Sequence, residues 1–480
     1  MNTLDVDVAV IGSGTAGMGA YRAAKAHTDR VVVIESGQYG TTCARVGCMP
    51  SKLLIAAADS AHAIQQAPLF GVHAAPIRVD GEAVMQRVRS ERDRFVGFVL
   101  DAVHGWPERH RLAGHVRFVS PHELMVDEHT RVKAGRVVIA TGSSTAIPAG
   151  WEASLGDRLI TNEALFDWQT LPASLVVVGG GVIGLELAQA LTRLGVRVKL
   201  LARGGKLGPL TDPAVSAKAR EILSAELDVV LDARLIQVSR HGVQAQVSFQ
   251  CGDGERQTVT VDQVLAATGR RPNLAGLNLA ATGIALNKQG LPTFDRETGQ
   301  IEGSHLFIAG DAHNAHPLLH EAADDGRIAG DNAGRFPDVR VRPRRAPLAV
   351  VFSDPQMMIA GASFDTLQKA GSEFEVGDAS FDDQGRSRVM GRNHGLIQLY
   401  GERHTGRFLG AEMVGPAAEH IGHLLAWVVQ HRLTVQQMLD SPFYHPVVEE
   451  GVRTALRELS RRLRMGPPPV AHCLDCGPGA

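Results

Sequence analysis

Apolar residues in the first half of the chain gather in short unbroken runs instead of alternating with polar ones. Val8-Ala9-Val10-Ile11, Val31-Val32-Val33-Ile34 and Leu175-Val176-Val177-Val178 are of this kind, and the strand-like stretch from Val196 to Leu201 follows the last of them with Arg197 and Lys199 interposed. Bounded by turn residues, such runs fit strands covered on both faces, as in a parallel sheet. Each pair of runs is joined by a glycine-rich turn and a helical stretch. The first is Gly12-Ser13-Gly14-Thr15-Ala16-Gly17, running on to about His27; the second is Gly179-Gly180-Gly181-Val182-Ile183-Gly184, running through Leu194. Strand, helix and strand in that order make a βαβ unit, and the chain contains it twice. Toward the C-terminus the pattern changes. The strand-like Leu348-Ala349-Val350-Val351-Phe352 precedes helical stretches over Ala418 to Gln430 and Val452 to Leu463, which together predict an α+β unit. No apolar run approaches the roughly 20 residues needed to cross a bilayer.

Composition narrows the class. A chain of 480 residues accommodates about three domains. Lys+Arg 49 against Asp+Glu 51 leaves a formal charge of -2. With no long run of either sign, this gives no footing for a nucleic-acid binder or a polybasic membrane anchor. Five cysteines in so long a chain make no disulfide scaffold, so a regularly spaced pair points to redox or metal chemistry. Met1-Asn2-Thr3-Leu4-Asp5 runs directly into the first strand without the three regions of a signal peptide. The expectation is a soluble, cytoplasmic enzyme.

The glycine turns carry the first chemical signal. In a dinucleotide-binding βαβ unit the first glycine makes the tight turn and the second admits the pyrophosphate to the backbone. The third lets helix pack on strand, while the helix N-terminus faces the phosphates. Gly12, Gly14 and Gly17 fill these places in the first copy, and Gly179, Gly181 and Gly184 in the second. Glu35, about 20 residues beyond the first turn, suits a ribose hydroxyl. Each copy is followed by an apolar run ending in Ala-Thr-Gly, at Ala140-Thr141-Gly142 and Ala267-Thr268-Gly269. Two such sites in one chain suggest electron transfer between a flavin and a nicotinamide.

The second signal is Gly40-Thr41-Thr42-Cys43-Ala44-Arg45-Val46-Gly47-Cys48-Met49-Pro50-Ser51-Lys52. In a regular helix the two cysteines would stand roughly 8–9 Å apart at Cα on different faces, beyond the roughly 7 Å limit for a disulfide. A bonded pair therefore requires a break in the helix, which Gly47 and Pro50 permit. Two buried cysteines of purely structural role satisfy the same spacing.

Cys43 through Lys52, together with the glycine turns, resembles the class I pyridine nucleotide–disulfide oxidoreductases along nearly the whole chain. This family includes dihydrolipoamide dehydrogenase, glutathione reductase, large thioredoxin reductase and mercuric reductase. The resemblance makes Cys43 the interchange thiol and Cys48 the thiolate facing the flavin, with Lys52 near the flavin and paired with Glu186 of Gly184-Leu185-Glu186-Leu187. Gly269-Arg270-Arg271-Pro272-Asn273 matches the segment leaving the nicotinamide domain. Phe307-Ile308-Ala309-Gly310-Asp311 matches the second flavin fingerprint, in which Asp311 binds the ribityl chain. Tyr444-His445-Pro446-Val447-Val448-Glu449-Glu450 resembles the C-terminal acid–base motif. There His445, supplied by the other subunit of a homodimer, shuttles protons to Cys43, and Glu450 orients it. Thr42, Thr141, Gly142, Gly269, Arg270 and His320 join the cofactor contacts by position. The spacing of His313, His316 and His320 also suits a metal, but its place after Asp311 assigns it to the flavin, and no metal site is expected.

The implied architecture is α/β: two Rossmann-like dinucleotide-binding domains, for FAD and NAD(P), and a C-terminal α+β dimerisation domain. The boundaries are 1–148 for FAD, 149–270 for the nicotinamide and 271–345 for a return segment. The dimerisation domain takes 346–465, and 466–480 form a tail. For the nicotinamide, Gly184 favours NADH, whereas Arg203 and Lys206 in Ala202-Arg203-Gly204-Gly205-Lys206 suit a 2′-phosphate. Charge outweighs one methyl group, which favours NADPH without removing NADH. The tail, Gly466-Pro467-Pro468-Pro469 followed by Val470 to Ala480, holds Cys473 and Cys476. It reads as a redox relay, a soft-metal clip with His472, or an idle extension. The implied activity is FAD-dependent exchange between NAD(P)H and a small or protein disulfide or dithiol, most like dihydrolipoamide dehydrogenase. The alternatives are a thioredoxin-reductase-like or metal-ion reductase using the tail, and a diaphorase or transhydrogenase that bypasses the disulfide. Mercuric reductase itself fits less well, since that family has Tyr at the place of His445.

Overall fold

The computed structural model describes residues 1–464, so Cys473, Cys476 and the rest of the tail lie outside the described residues. Three sheets organise the chain. The first has seven strands, in the order Arg111–Ala113, Val31–Glu35, Asn2–Ile11, Thr130–Ile139, Glu123–Val126 and Val116–Ser120, with Leu306–Ile308 also pairing with Thr130–Ile139. Its centre is parallel, with Val8 against Val31 and Ile11 against both Ile34 and Ile139. Val8, Ala9, Val10 and Ile11 are all buried, which explains why the sequence shows an unbroken run there: helices and loops cover both faces. Leu306–Ile308 returns from far along the chain to lie parallel beside Val137–Ile139.

The second sheet is wholly parallel, in the order Asp228–Val230, Arg197–Leu201, Ser174–Val178, Gln263–Ala266 and Leu159–Ile160. An antiparallel meander, Ala233–His241, Gln244–Cys251 and Arg256–Val261, lies beside it. The chain passes between the first two sheets along a short antiparallel pair, Ser143–Thr145 with Arg270–Pro272. The third sheet is antiparallel, in the order Leu348–Val351, Gln356–Gly361, Phe408–Gly415, Leu396–Glu402 and Phe374–Ser380. The helices Ala418–Gln430 and Glu450–Leu463 pack on it. The mixed α/β class with an α+β C-terminal unit is the one expected.

Two packing features bear on the site. The helix Thr15–Lys25 crosses the return helix Leu319–Arg335 at very short range. A side chain on Gly326 or Gly330 would overlap the backbone of Ala16 or Ala20. The basic segment before the third sheet is fastened to the same return helix. Arg342 pairs with Asp331 at 2.8 Å, and Arg344 with Asp325 at 2.6 Å and Glu321 at 2.5 Å.

Candidate functional site

The cysteine segment forms two helices instead of one. Thr42–Val46 is a short helix whose N-cap, Thr41, accepts a hydrogen bond from the Ala44 N–H at 3.2 Å. At Gly47 the backbone turns to φ -126 and ψ -119, and a second helix runs from Cys48 to Gln66. The Val46 carbonyl at the break is taken up by Asn162 Nδ2 at 2.7 Å, and Asn162 Oδ1 in turn accepts from Thr145 Oγ1 at 3.1 Å. Asn162, 5% exposed, has no signature in the sequence; only the fold brings it to Val46.

The break brings the two sulfurs together. The Cys43 thiol donates a hydrogen bond to Cys48, and neither residue is bonded to another cysteine. That hydrogen bond is the chief cause holding Cys48 down at about 6, against partial desolvation of a sulfur that still reaches solvent, with the Lys52 charge adding to it. Cys48 is also the first residue of its helix, where the peptide dipoles favour a thiolate. Cys43 is pushed far upward by the same hydrogen bond and by burial. The two thiols titrate as one coupled pair, with the anion favoured on Cys48.

One turn beyond Cys48, Lys52 Nζ donates to Glu186 Oε2 at 2.7 Å and to Ser51 Oγ at 3.3 Å. Glu186 comes from the helix Val182–Arg193 of the second unit and is 4% exposed. Its other oxygen accepts the Phe352 N–H at 2.9 Å, and the Phe352 ring centroid lies 4.5 Å from Lys52 Nζ. Three parts of the chain therefore meet at one ion pair, buried on the Glu186 side. Phe352 carried no chemical signal in the sequence beyond ending an apolar run.

The glycine turns divide into tight and open positions. A Cβ on Gly12 would overlap the Ala140 carbonyl, and one on Gly17 would overlap the Gly12 carbonyl. Gly179 and Gly184 are closed in the same way by Ala267 and Gly179. At Gly14 and Gly181, by contrast, a Cβ would meet nothing within 4 Å. Both are N-caps whose helices receive no side-chain cap, so free N–H groups face open space, the arrangement that takes a phosphate. Glu35 accepts from Ser13 N and Ser13 Oγ, each at 2.8 Å, and from Gly37 N at 2.9 Å. A carboxylate accepts about four such bonds, so capacity for a ribose hydroxyl is left. Thr141 Oγ1 is buried with no partner among the described residues, beside the positive-φ Gly142. Asp311 Oδ2 accepts from Ser143 Oγ at 2.7 Å, and Arg270 Nε donates to the same hydroxyl at 2.8 Å. Gly269, at φ 111, accepts from the Ala146 N–H on the crossover. These residues fit two dinucleotides.

The remaining residues are scattered more widely. Thr42 is exposed at the start of the short helix, and His320 is exposed near the start of the return helix. His313 is committed inward, with Nε2 2.7 Å from Asp325 Oδ2 and its ring stacked on Phe294. Arg203 and Lys206 are exposed on the turn after Arg197–Leu201, where Arg220 donates to the Gly205 carbonyl at 3.3 Å. Among the described residues no three His, Cys, Asp or Glu side chains form a group able to hold a metal.

His445 and Glu450 are brought together at the far end of the chain. His445 Nδ1 lies 3.0 and 3.2 Å from the two Glu450 oxygens. Glu450, 3% exposed, also accepts from the Val447 N–H and from Arg453, each at 3.2 Å. The imidazole is 53% exposed, and among the described residues its Nε2 has no hydrogen-bond partner.

Residues 6–326 match the family model described as pyridine nucleotide-disulphide oxidoreductase, and residues 348–456 match that family's dimerisation domain. The chain belongs to the pyridine nucleotide-disulphide oxidoreductase family. It is similar to a mercuric reductase of Acidithiobacillus ferrooxidans, at 32% identity over 96% of this chain and 84% of that protein. A dihydrolipoyl dehydrogenase of Thermus scotoductus is 29% identical over 95% of this chain and 98% of its own. Among solved structures, LpdA of Mycobacterium tuberculosis superposes with TM-score 0.79 at 26% identity, covering 95% and 100% of the two chains. The flavoprotein disulfide reductase RclA of Escherichia coli shares the fold, with TM-score 0.78 at 24% identity over 96% and 100%. As a pyridine nucleotide-disulphide oxidoreductase, the enzyme uses FAD and NAD(P)H, and its dimerisation domain supports a homodimer. Among the described residues no helix is long and apolar enough to cross a membrane.

Proposed function

We propose that the enzyme moves electrons between a nicotinamide and a substrate disulfide or dithiol through Cys43 and Cys48, most like a dihydrolipoyl dehydrogenase. The observation that carries this reading is the unequal thiol pair at the Gly47 break, with Cys48 lowered to about 6 beside Lys52. In this reading residues 1–148 and 271–345 hold FAD, 149–270 the nicotinamide, and 346–465 the dimer contact. Gly12, Gly14, Gly17, Glu35, Thr42, Thr141, Gly142, Asp311 and His320 line the FAD site. Gly179, Gly181, Gly184, Gly269 and Arg270 serve the nicotinamide side, where Arg203 and Lys206 favour NADPH. Bound FAD supplies the two-electron link between the nicotinamide and the cysteine pair.

The chain's own residues perform the exchange. Cys43 holds its proton while Cys48 is anionic, so it needs a base before it becomes a nucleophile. His445 of the partner subunit, oriented by Glu450, takes that proton. The Cys43 thiolate then attacks one sulfur of the substrate disulfide, forming a mixed disulfide and expelling a thiolate, which His445 protonates. Cys48 next attacks the Cys43 sulfur, the Cys43–Cys48 disulfide closes, and the second substrate sulfur leaves as a thiolate that takes its proton from solvent. Lys52, held by Glu186, stabilises negative charge on the flavin side. The same steps in reverse oxidise a dithiol such as dihydrolipoamide. The cytoplasm, where thiols are kept reduced, suits this chemistry.

The test is turnover of lipoamide, glutathione disulfide, thioredoxin and Hg(II) with NADPH and with NADH, comparing the whole protein with a version ending at Arg464. Equal lipoamide turnover by both forms, abolished by Cys43→Ser, is the expected result. Undiminished turnover in Cys43→Ser overturns the reading in favour of a diaphorase. The similarity to mercuric reductases favours a second reading, a relay through Cys473 and Cys476. That reading requires thioredoxin or Hg(II) reduction by the full chain alone.

A further inference from the structure

Glu412, on Phe408–Gly415 of the third sheet, is 0% exposed. Its Oε2 accepts from Thr211 N at 2.6 Å and Asp212 N at 3.0 Å. Its Oε1 accepts from Thr211 Oγ1 at 2.5 Å and from the Phe364 N–H at 2.9 Å. These bonds fill the acceptor capacity of a carboxylate, and every donor is neutral. Thr211 and Asp212 end the loop that joins the strand Arg197–Leu201 to the helix Pro213–Glu226 in the second unit. Asp212 is tied to the third sheet a second time, because Tyr400 Oη donates to its Oδ2 at 3.2 Å.

The same loop opens with Arg203 and Lys206 and then presses on the second glycine turn. The Gly208 N–H donates to the Gly180 carbonyl at 2.8 Å. A Cβ on Gly180 would stand 2.8 Å from Ala202 Cβ and 3.2 Å from Leu207 Cδ2. On the loop's other side, a Cβ on Gly208, whose φ is 72, would stand 2.6 Å from Met357 Sδ of the third sheet. Leu207 and Leu210 are buried in one core with Met357 and Val414. The loop is thus held between the glycine turn and the third sheet, and Glu412 fastens its far end.

We propose that Glu412, acting through Thr211, is a positioning residue for the nicotinamide coenzyme: the dimerisation unit holds the coenzyme loop in its binding shape. The inference rests on the reading that Gly179 to Gly184, with Arg203 and Lys206, receives the coenzyme. A loop released at Thr211 spreads over several shapes, and the apparent dissociation constant rises in proportion as the binding shape is depopulated. Once coenzyme is bound the loop is ordered again, so flavin reduction at saturation keeps its rate.

The experiment titrates the oxidised holoenzyme with NADP+ and NAD+ by calorimetry, and measures flavin reduction at saturating NADPH and NADH by stopped flow. Thr211→Val removes one hydroxyl from a half-buried site and keeps its shape, Thr211→Ser restores the hydroxyl, and Glu412→Gln turns an N–H donor toward N–H donors. If a third to a tenth of the loop stays in the binding shape, the Val and Gln variants bind about threefold to tenfold more weakly. The expected result is that loss, with the parental reduction rate at saturation and parental binding by the Ser variant. Should Glu412→Gln not fold, the Val and Ser pair decides. Parental binding in the Val variant, or a Ser variant as weak as Val, overturns the proposal. So does a slower reduction rate at saturation with binding unchanged. Gly181→Val, which fills the open space at the glycine turn, separates the two readings. If it binds like the parent, the coenzyme site is misplaced and the role of Glu412 falls with it. If it loses the coenzyme while Thr211→Val binds like the parent, only the role of Glu412 fails.

Discussion

Asn162 Nδ2 donates to the carbonyl of Val46 at 2.7 Å, and this bond fastens the end of the short cysteine helix to the second unit. A Leu at 162 keeps the volume but leaves the part-buried Val46 carbonyl without this partner beside the Gly47 break. The expected cost is about 1–3 kcal/mol, read as a lower midpoint in urea, with faster alkylation of Cys43 as the short helix loosens. An unchanged midpoint together with parental alkylation would remove Asn162 from the account.

Cys43→Ala tests how the pair shares its charge. The hydrogen bond from Cys43 is the largest cause holding Cys48 at about 6. Removing it moves the Cys48 titration upward, so the thiolate fraction falls below neutrality and is regained at alkaline pH. Alkylation of Cys48 near about pH 6.5 should slow by about tenfold and recover as pH rises. A curve that moves down instead of up would contradict the assignment of donor and acceptor.

The Lys52–Glu186 pair is buried mainly on the glutamate side. Lys52→Met leaves that carboxylate without its cation at a cost of about 2–4 kcal/mol, reduced because Lys52 retains some solvent contact. The double variant Lys52→Met with Glu186→Gln should recover most of this loss in a thermal melt while flavin reduction by NADPH stays slow. Full recovery of both would make the pair merely structural.

Gly14 and Gly17 are three residues apart but predict opposite phenotypes. An alanine at 17 overlaps the Gly12 carbonyl and should lower stability by about 1–3 kcal/mol or more. An alanine at 14 meets no protein atom within 4 Å, so the apoprotein should melt like the parent and lose FAD affinity alone. Apoprotein melting and flavin retention on a desalting column separate the two. A destabilised Gly14→Ala apoprotein would show that the space at 14 is not reserved for a ligand.

The sequence made legible whatever is local. The glycine turns, the apolar strands beside them and the helix over Ala418–Gln430 each depend on neighbouring residues, and the structure has them there. The need for a helix break between the cysteines was also visible, because ideal geometry keeps them apart. What locks the break was not. Asn162 lies 116 residues from Val46, and Phe352 lies 166 from Glu186, distances over which no periodicity or spacing rule operates. Ser143, which ties Asp311 to Arg270, has no motif in the sequence that marks it. The close helix crossing did leave a trace, in Gly326, Gly330 and Gly334 at every fourth position. Spacing alone does not say which helix such a stripe meets.

Leu306–Ile308, the strand that returns to the first sheet beside Val137–Ile139, constrains the order in which a nascent chain reaches its final shape. The first unit leaves the ribosome with this strand position unfilled and the Val137–Ile139 end of Thr130–Ile139 unpaired on one side. The second unit, whose sheet lies within residues 159–266, is by then complete and able to fold as a block. Only afterwards do Leu306–Ile308 and the glycine-striped helix arrive to close the first unit. Synthesis therefore carries an aggregation-prone interval that ends before the third sheet begins.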